Sequence, residues 1–317
     1  MRFVPYPEAA GEPNVIVDGA ATSNTVLTLS HWPKSGTPDV LRGDTSTDIV
    51  FKYLDRPALH VSADAVSNNH FDEDGLIGIF ALVDPARAAR YRALLVDVAR
   101  AGDFGVHRSR NGARIAFTLA AYGAQETSPL PRSTFAGSHE QVTAALYREM
   151  LPILPHLVTH VEDYEKLWKD EDRALFEAEA YLDGGIVVIE ARADLDLAIV
   201  RVPAEVPVPH PMALHTRTPH SRLIVVRGRS VELRYRYEGW VQFASRRVAP
   251  RVDLSGLAGE LNTGESSPGQ WVFDGVGEIT PSLHLEGAAG TSHDPEAVVA
   301  MMQRALRTGP AAWDPYG

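Results

Sequence analysis

The densest chemistry in the sequence lies between Val66 and Val83, V-S-N-N-H-F-D-E-D-G-L-I-G-I-F-A-L-V. Asn68, Asn69, His70, Asp72 and Asp74 put five polar side chains into seven positions, and Gly75 and an apolar run follow at once. The pattern is a strand running out into a short acidic loop whose last aspartate opens a buried helix. Side chains alternate at a strand end, so His70, Asp72 and Asp74 fall on one side. One imidazole and two carboxylates form a donor set for a hard divalent cation, which makes these three residues catalytic as well as metal-ligand candidates. Asp74 is expected to cap the helix too, but a cap needs only one carboxylate.

Two earlier stretches offer partners. Residues 14–19, N-V-I-V-D-G, read as a buried strand that carries Asp18 into a loop, and residues 25–31, T-V-L-T-L-S-H, do the same for His31. A third strand over His60–Val66 leads into the polar motif. Ligands in open α/β sheets bind outside the carboxyl ends of the strands, so Asp18, His31 and the His70–Asp74 group can meet in one crevice. The plain alternatives are an Asp-Gly turn for Asp18 and a backbone-satisfied imidazole for His31.

The elements needed to position these groups can be read in outline. A helix is expected from Asp44 or Thr45 to Leu54, another from Asp84-Pro85 to about Arg100, and a strand or short helix over Arg114–Ala121. Ser138 and Gln141 form a capping box for the next helix, which Pro152 and Pro155 punctuate. One long helix is expected from Pro155 to Asp183, apolar every seventh residue and acidic outside. It is read as a spine between two domains, with packing along the first domain, a dimer interface or a hinge as its alternatives, and a homodimer is the oligomer considered. Beyond Gly185 the pattern turns to strands. Leu223–Val226, Val231–Tyr237 and Trp240–Ala244 read as an antiparallel meander, residues 263–294 as loop, and helices follow from Asp253 and Asp294-Pro295. The fold class is therefore α/β: a mainly parallel, helix-flanked sheet over 1–150, a helical connector over 151–185 and a smaller α+β domain over 186–317. Arg217 and His220 in the Pro-rich connector, with Arg246 and Arg247, are candidates for binding the anionic end of a substrate.

Composition narrows the function. The chain has 317 residues, ample for a core, and a net charge of -11, which argues against general binding of nucleic acid or anionic membranes. It does not exclude a small anionic substrate, since a metal and a few arginines reverse the field locally. No cysteine is present, which removes disulfides, thiolate metal sites and cysteine nucleophiles. The N-terminal residues lack the apolar core of a signal peptide and no apolar run approaches membrane-spanning length, so a cytoplasmic protein is expected.

The segment Asn68–Leu82, H-x-D-x-D-G-x-x-G before an apolar helix, resembles the first motif of the DHH phosphoesterases. That resemblance implies His and Asp ligands for manganese, or magnesium, and hydrolysis of phosphate esters or phosphodiesters. Val241–Ala244, Ser245-Arg246-Arg247 and the helix from Asp253 are similar in order to that family's accessory substrate-binding domain. The chain departs from the pattern in having no Asp-His-His triplet and no Gly-Gly-Gly-His loop. It also looks like an uncharacterised bacterial family that shares its L-S-H-W-P, N-N-H-F-D-x-D-G and R-V-D-L segments and brings no known activity. Two functions follow: a divalent-metal hydrolase, or a non-catalytic binding or scaffold protein that keeps the fold. A metal enzyme of another reaction class is a third.

Overall fold

The computed structural model describes all 317 residues, in two compact units, Met1–Ala174 and Leu175–Gly317. The first unit contains β1 (Arg2–Phe3), α1 (Tyr6–Ala9), β2 (Asn14–Val17), β3 (Thr25–Leu29), α2 (Ser46–Leu54), β4 (Ala65–Ser67), α3 (Glu73–Val83), α4 (Pro85–Arg90), α5 (Arg92–Phe104), α6 (Arg110–Gly123) and α7 (His139–Thr159). The division falls inside α8 (Glu165–Asp183). No helix is long and apolar enough to cross a membrane.

The four strands of this unit form one parallel sheet in the order β1-β4-β2-β3. Val15, Ile16 and Val17 are fully buried, as expected of a strand covered on both faces. The helix α3 is apolar nearly all round because it is a core helix: Leu76, Ile77 and Ile79 are fully buried, and α2 and α5 pack on it. Its contact with β2 is close enough to require a glycine. A Cβ on Gly78 would lie 2.6 Å from Val17 Cγ1. Alanine normally stabilises a helix relative to glycine, but Gly78→Ala is expected to destabilise the protein by about 1–3 kcal/mol through overpacking. A thermal melt showing an unchanged or raised midpoint would contradict this packing.

The second unit contains β5 (Val188–Arg192), β6 (Leu197–Val202), α9 (Pro211–Arg217), β7 (Arg222–Arg227), β8 (Ser230–Tyr235), β9 (Arg251–Val252), α10 (Ser255–Gly264), β10 (Gln270–Phe273), β11 (Ser282–Glu286), α11 (Pro295–Thr308) and β12 (Ala311–Trp313). Its main sheet runs β10-β11-β8-β7-β6-β5 and is antiparallel except between β6 and β7, which α9 connects. Leu197, Ile224, Leu233 and Leu283 join Val298 and Met302 of α11 in its core. The mixed α/β class, with a parallel sheet first and a mostly antiparallel one after it, agrees with the sequence.

Several elements differ from the sequence reading. The expected helix from Pro155 to Asp183 is two helices, separated by a single 3-10 turn over Val161–Tyr164. Thr159 Oγ donates to the carbonyls of Pro155 and His156, both at 3.1 Å, and His160 leaves helical geometry (φ -139°, ψ 52°). Pro152 and Pro155 do not end α7; its apolar face, with Leu154 and Leu157 fully buried, carries it through both. Trp240–Ala244 is not a strand. The neighbour of β8 is β11, from the stretch expected to be loop, where short strands flanked by Gly, Ser and Pro leave little pattern. The parallel with the DHH accessory domain therefore loses its strand. Of the two expectations for Arg114–Ala121, a strand or a short helix, the helix is found, inside α6.

Candidate metal centre

Strand order places the site. Asp18 follows β2, Ser30 and His31 follow β3, and Asn68–His70 follow β4. Because β2 lies between β3 and β4, Asp18 stands in the middle with an imidazole on each side, at the strand spacing of about 4.8 Å. Asp18 reaches this position by adopting φ 51°, a left-handed conformation that aspartate and asparagine tolerate. The next residue must be glycine, since a Cβ on Gly19 would lie 2.3 Å from Asn69 Oδ1 and 2.7 Å from Asn68 Oδ1.

Both oxygens of Asp18 are engaged. Oδ2 is 3.3 Å from His70 Nε2, which is 2.9 Å from Asp72 Oδ2. Oδ1 is 3.4 Å from His31 Nε2 and accepts the Ser46 hydroxyl at 2.7 Å. Two triads that could hold a metal ion result, Asp18–His70–Asp72 and Asp18–His31–Asp74, each with its candidate ligand atoms within 4.8 Å of one another. The cluster can hold a metal ion. His31 Nδ1 lies 2.6 Å from the carbonyl oxygen of Asp44. A carbonyl only accepts, so Nδ1 carries a proton and Nε2 is the nitrogen turned toward Asp18 and Asp103, an orientation common behind metal-bound histidines. Arg100 in turn pairs with the Asp44 carboxylate at 2.9 Å.

Asp72 and Asp74 exchange the roles expected of them. The cap of α3 is Asp72, which accepts the Gly75 N–H at 2.8 Å. Asp74 lies in the first turn of α3, fully buried, and accepts the N–H groups of Ser46 (2.6 Å) and Thr47 (2.7 Å) at the start of α2. It thus ties the two helices together while its remaining lone pairs face Asp18. The sequence reading missed this because the donors lie 28 and 27 residues away.

Asp103 is the member that the sequence reading missed. It comes from the last turn of α5, has a side chain only 5% exposed, and has Oδ2 at 3.7 Å from His31 Nε2. That oxygen is buried and has no hydrogen-bond partner, an open valence aimed at the centre. A signal for it existed: Leu95, Ala99 and Asp103 recur every four residues, and the first two are fully buried.

Four aspartates around two imidazoles set the electrostatics. Burial, and next the Asp18 carboxylate, raise Asp74 to about 7. Asp103 is pushed well above the usual carboxylate range by burial and by Asp74 and Asp18. Glu73, beside the cluster, rises to about 7 through burial and the charge of Asp72. Burial alone would lower His70, but Asp72 and Asp18 outweigh it and raise the imidazole to about 11. Asp72 is held below its ordinary value by His70 despite its burial. Each of these changes reflects a demand for positive charge that protons or a cation can meet.

The two positions differ in access. The side chains of His31 and Asp18 are buried, whereas His70 and Asp72 are 24% and 30% exposed. The Trp32 indole stacks on the His70 ring, with centroids 5.3 Å apart and planes at 23°.

The four candidates for substrate binding lie in the second unit. His220, Arg246 and Arg247 line one cavity of about 520 Å³ together with Asp194 and Asp196. His220 and Arg246 face Asp196 at 3.3 and 3.5 Å, and Arg247 pairs with Asp314 at 3.2 Å. Arg217 is not among them; it pairs with Asp183.

A family model described as "Family of unknown function (DUF6687)" matches residues 1–316. No curated protein matches the chain.

Proposed function

We propose that this chain, which belongs to that family of unknown function, is a hydrolase of phosphate esters or phosphodiesters whose divalent ions would be held by Asp18 with His70 and Asp72 and by Asp18 with His31 and Asp74. The observation that carries the reading is the carboxylate of Asp18, whose two oxygens each face the Nε2 of a different histidine. The Asp103 oxygen fits the same account: it is buried, accepts no hydrogen bond and faces His31 only at 3.7 Å, a position that a cation would satisfy. The donors are all carboxylate and imidazole, which suits manganese or magnesium and also zinc or iron. The H-x-D-x-D-G segment supports phosphoester chemistry by its resemblance to the DHH phosphoesterases. The partners Asp18 and His31 precede that motif in the chain and take the place of the missing Asp-His-His triplet.

Bound ions would supply an acidified water as nucleophile and neutralise charge growing on the phosphoryl oxygens. The protein's own groups divide the remaining work. Asp18, Asp74 and His31 form the buried, rigid side, held by Ser46, Thr47 and the Asp44 carbonyl. His70 and Asp72 form the side that a substrate can approach from solvent, and Trp32 fixes the orientation of the His70 ring. In the alternative of a non-catalytic scaffold, nothing requires Asp18, Asp74 and Asp103 to gather in the interior around the imidazole of His31.

The test is elemental analysis of purified protein followed by turnover. Two equivalents of divalent metal per chain, and metal-dependent hydrolysis of bis-(p-nitrophenyl) phosphate, are expected. Protein that binds no Mn, Mg, Zn or Fe, and gains no activity when they are added, is not this hydrolase.

A further inference from the structure

The first unit carries a second cavity, of about 1000 Å³, whose lining includes four arginines, Arg90, Arg92, Arg108 and Arg110. None of its lining residues belongs to the Asp18 cluster. We infer that this groove binds a nucleotide, with the phosphates on Arg90 and Arg108 and the nucleoside on the apolar surface of Leu94 and Val96.

The charge is local and unusual, because the chain as a whole is at -11. Arg92 and Arg110 are committed to Asp55 and Asp172, at 2.7 and 2.6 Å. The guanidinium groups of Arg90 and Arg108, both exposed, hold no carboxylate or carbonyl. The two acids of the lining do not cancel them. Asp48 is paired with Lys52 at 2.7 Å. Asp97 is buried and accepts the Arg108 N–H (2.7 Å), the Ser109 N–H (2.8 Å) and the Ser109 hydroxyl (2.8 Å). Those three bonds fix the turn that presents Arg108 to the groove. Gly112 permits it, since a Cβ there would lie 2.4 Å from Asp97 Oδ2.

Size and lining select the class of ligand. The volume lies at the upper end of small-molecule pockets, far larger than an inorganic anion needs. Guanidinium groups suit phosphate through their planar forks, and the Ala89, Ala93, Leu94 and Val96 side of the cavity offers apolar area that a free phosphate would leave unused.

The experiment titrates the full chain with methylanthraniloyl-ADP in EDTA, so that the Asp18 cluster holds no ion. Saturable binding competed by ADP is expected, weakened at least about tenfold in Arg90→Glu/Arg108→Glu and retained in Asp18→Asn. Arg90→Gln/Arg108→Gln, which removes charge without reversing it, should lose affinity in the same direction and by less. The inference is overturned if the nucleotide does not bind or the arginine variants bind unchanged. It is also overturned if Asp18→Asn abolishes binding, which would put the ligand at the metal centre. Competition by inorganic pyrophosphate as strong as by ADP, or binding confined to oligonucleotides, would each exclude a nucleotide ligand.

Discussion

Asp18→Asn is expected to lower phosphodiester turnover by at least about 10³-fold and to reduce bound metal from two equivalents to one or none. Loss of groups that merely orient metal ligands costs about 10–100-fold; in the proposed mechanism Asp18 would be a ligand at both positions, so its removal should exceed that range. Asparagine is the informative replacement. It tolerates the φ of 51° at this position, and its carbonyl oxygen can still accept the Ser46 hydroxyl that Asp18 Oδ1 accepts at 2.7 Å. The fold should therefore persist while the bridge is lost, whereas alanine would add backbone strain and confuse the result. Circular dichroism and a melt establish that the variant is folded, and elemental analysis counts the ions. A folded Asp18→Asn protein that keeps two ions and its turnover would remove the bridging role.

The second large effect is on stability. With no metal added, the protein should be more stable near pH 5 than near pH 8, and a divalent ion should narrow the difference. Glu73 and Asp74 are each raised to about 7, so between their ordinary values and about 7 the folded state binds more protons than the unfolded one. Stability then falls as pH rises through that window. His70 acts in the same direction at higher pH: raised to about 11, its contribution is fully present below its ordinary value of 6.5 and is lost as pH rises through 11. Every tenfold gain in proton affinity on folding corresponds to about 1.4 kcal/mol, so the two carboxylates together amount to several kcal/mol. A metal competes with these protons and should bind best once they are released. At a hundred times its dissociation constant it adds about 2.7 kcal/mol, or a rise of roughly 5–10 °C in the melting midpoint, near pH 8 and much less near pH 5. A melting curve as insensitive to manganese at pH 8 as at pH 5 would argue that the aspartates hold no ion.

Much of this centre was legible in the sequence. His70, Asp72 and Asp74 stand together within five positions, and Asp18 and His31 end apolar runs, so local pattern alone pointed to them. Asp103 had only its four-residue spacing from Ala99 and Leu95 to mark it, and it follows Ala101-Gly102, a pair that reads as a helix break. The roles of Asp72 and Asp74 could not be assigned in advance, because either can cap α3. The choice depends on Ser46 and Thr47 of another helix. The second unit shows the same limit. Its middle strands were plain from alternation, but the neighbour of β8 came from β11, whose pairing is set by contacts across the sheet.

Residue type and periodicity determined which chemistry the chain carries, a set of carboxylates and imidazoles at strand exits with no thiolate among them. Alternation and apolar runs also determined its class, a parallel sheet followed by a mostly antiparallel one. Only the tertiary structure decided that β2 lies between β3 and β4, and therefore that one carboxylate, Asp18, faces two histidines. Strand order depends on which crossover buries the most apolar surface, a property of the whole first unit that no window of sequence contains.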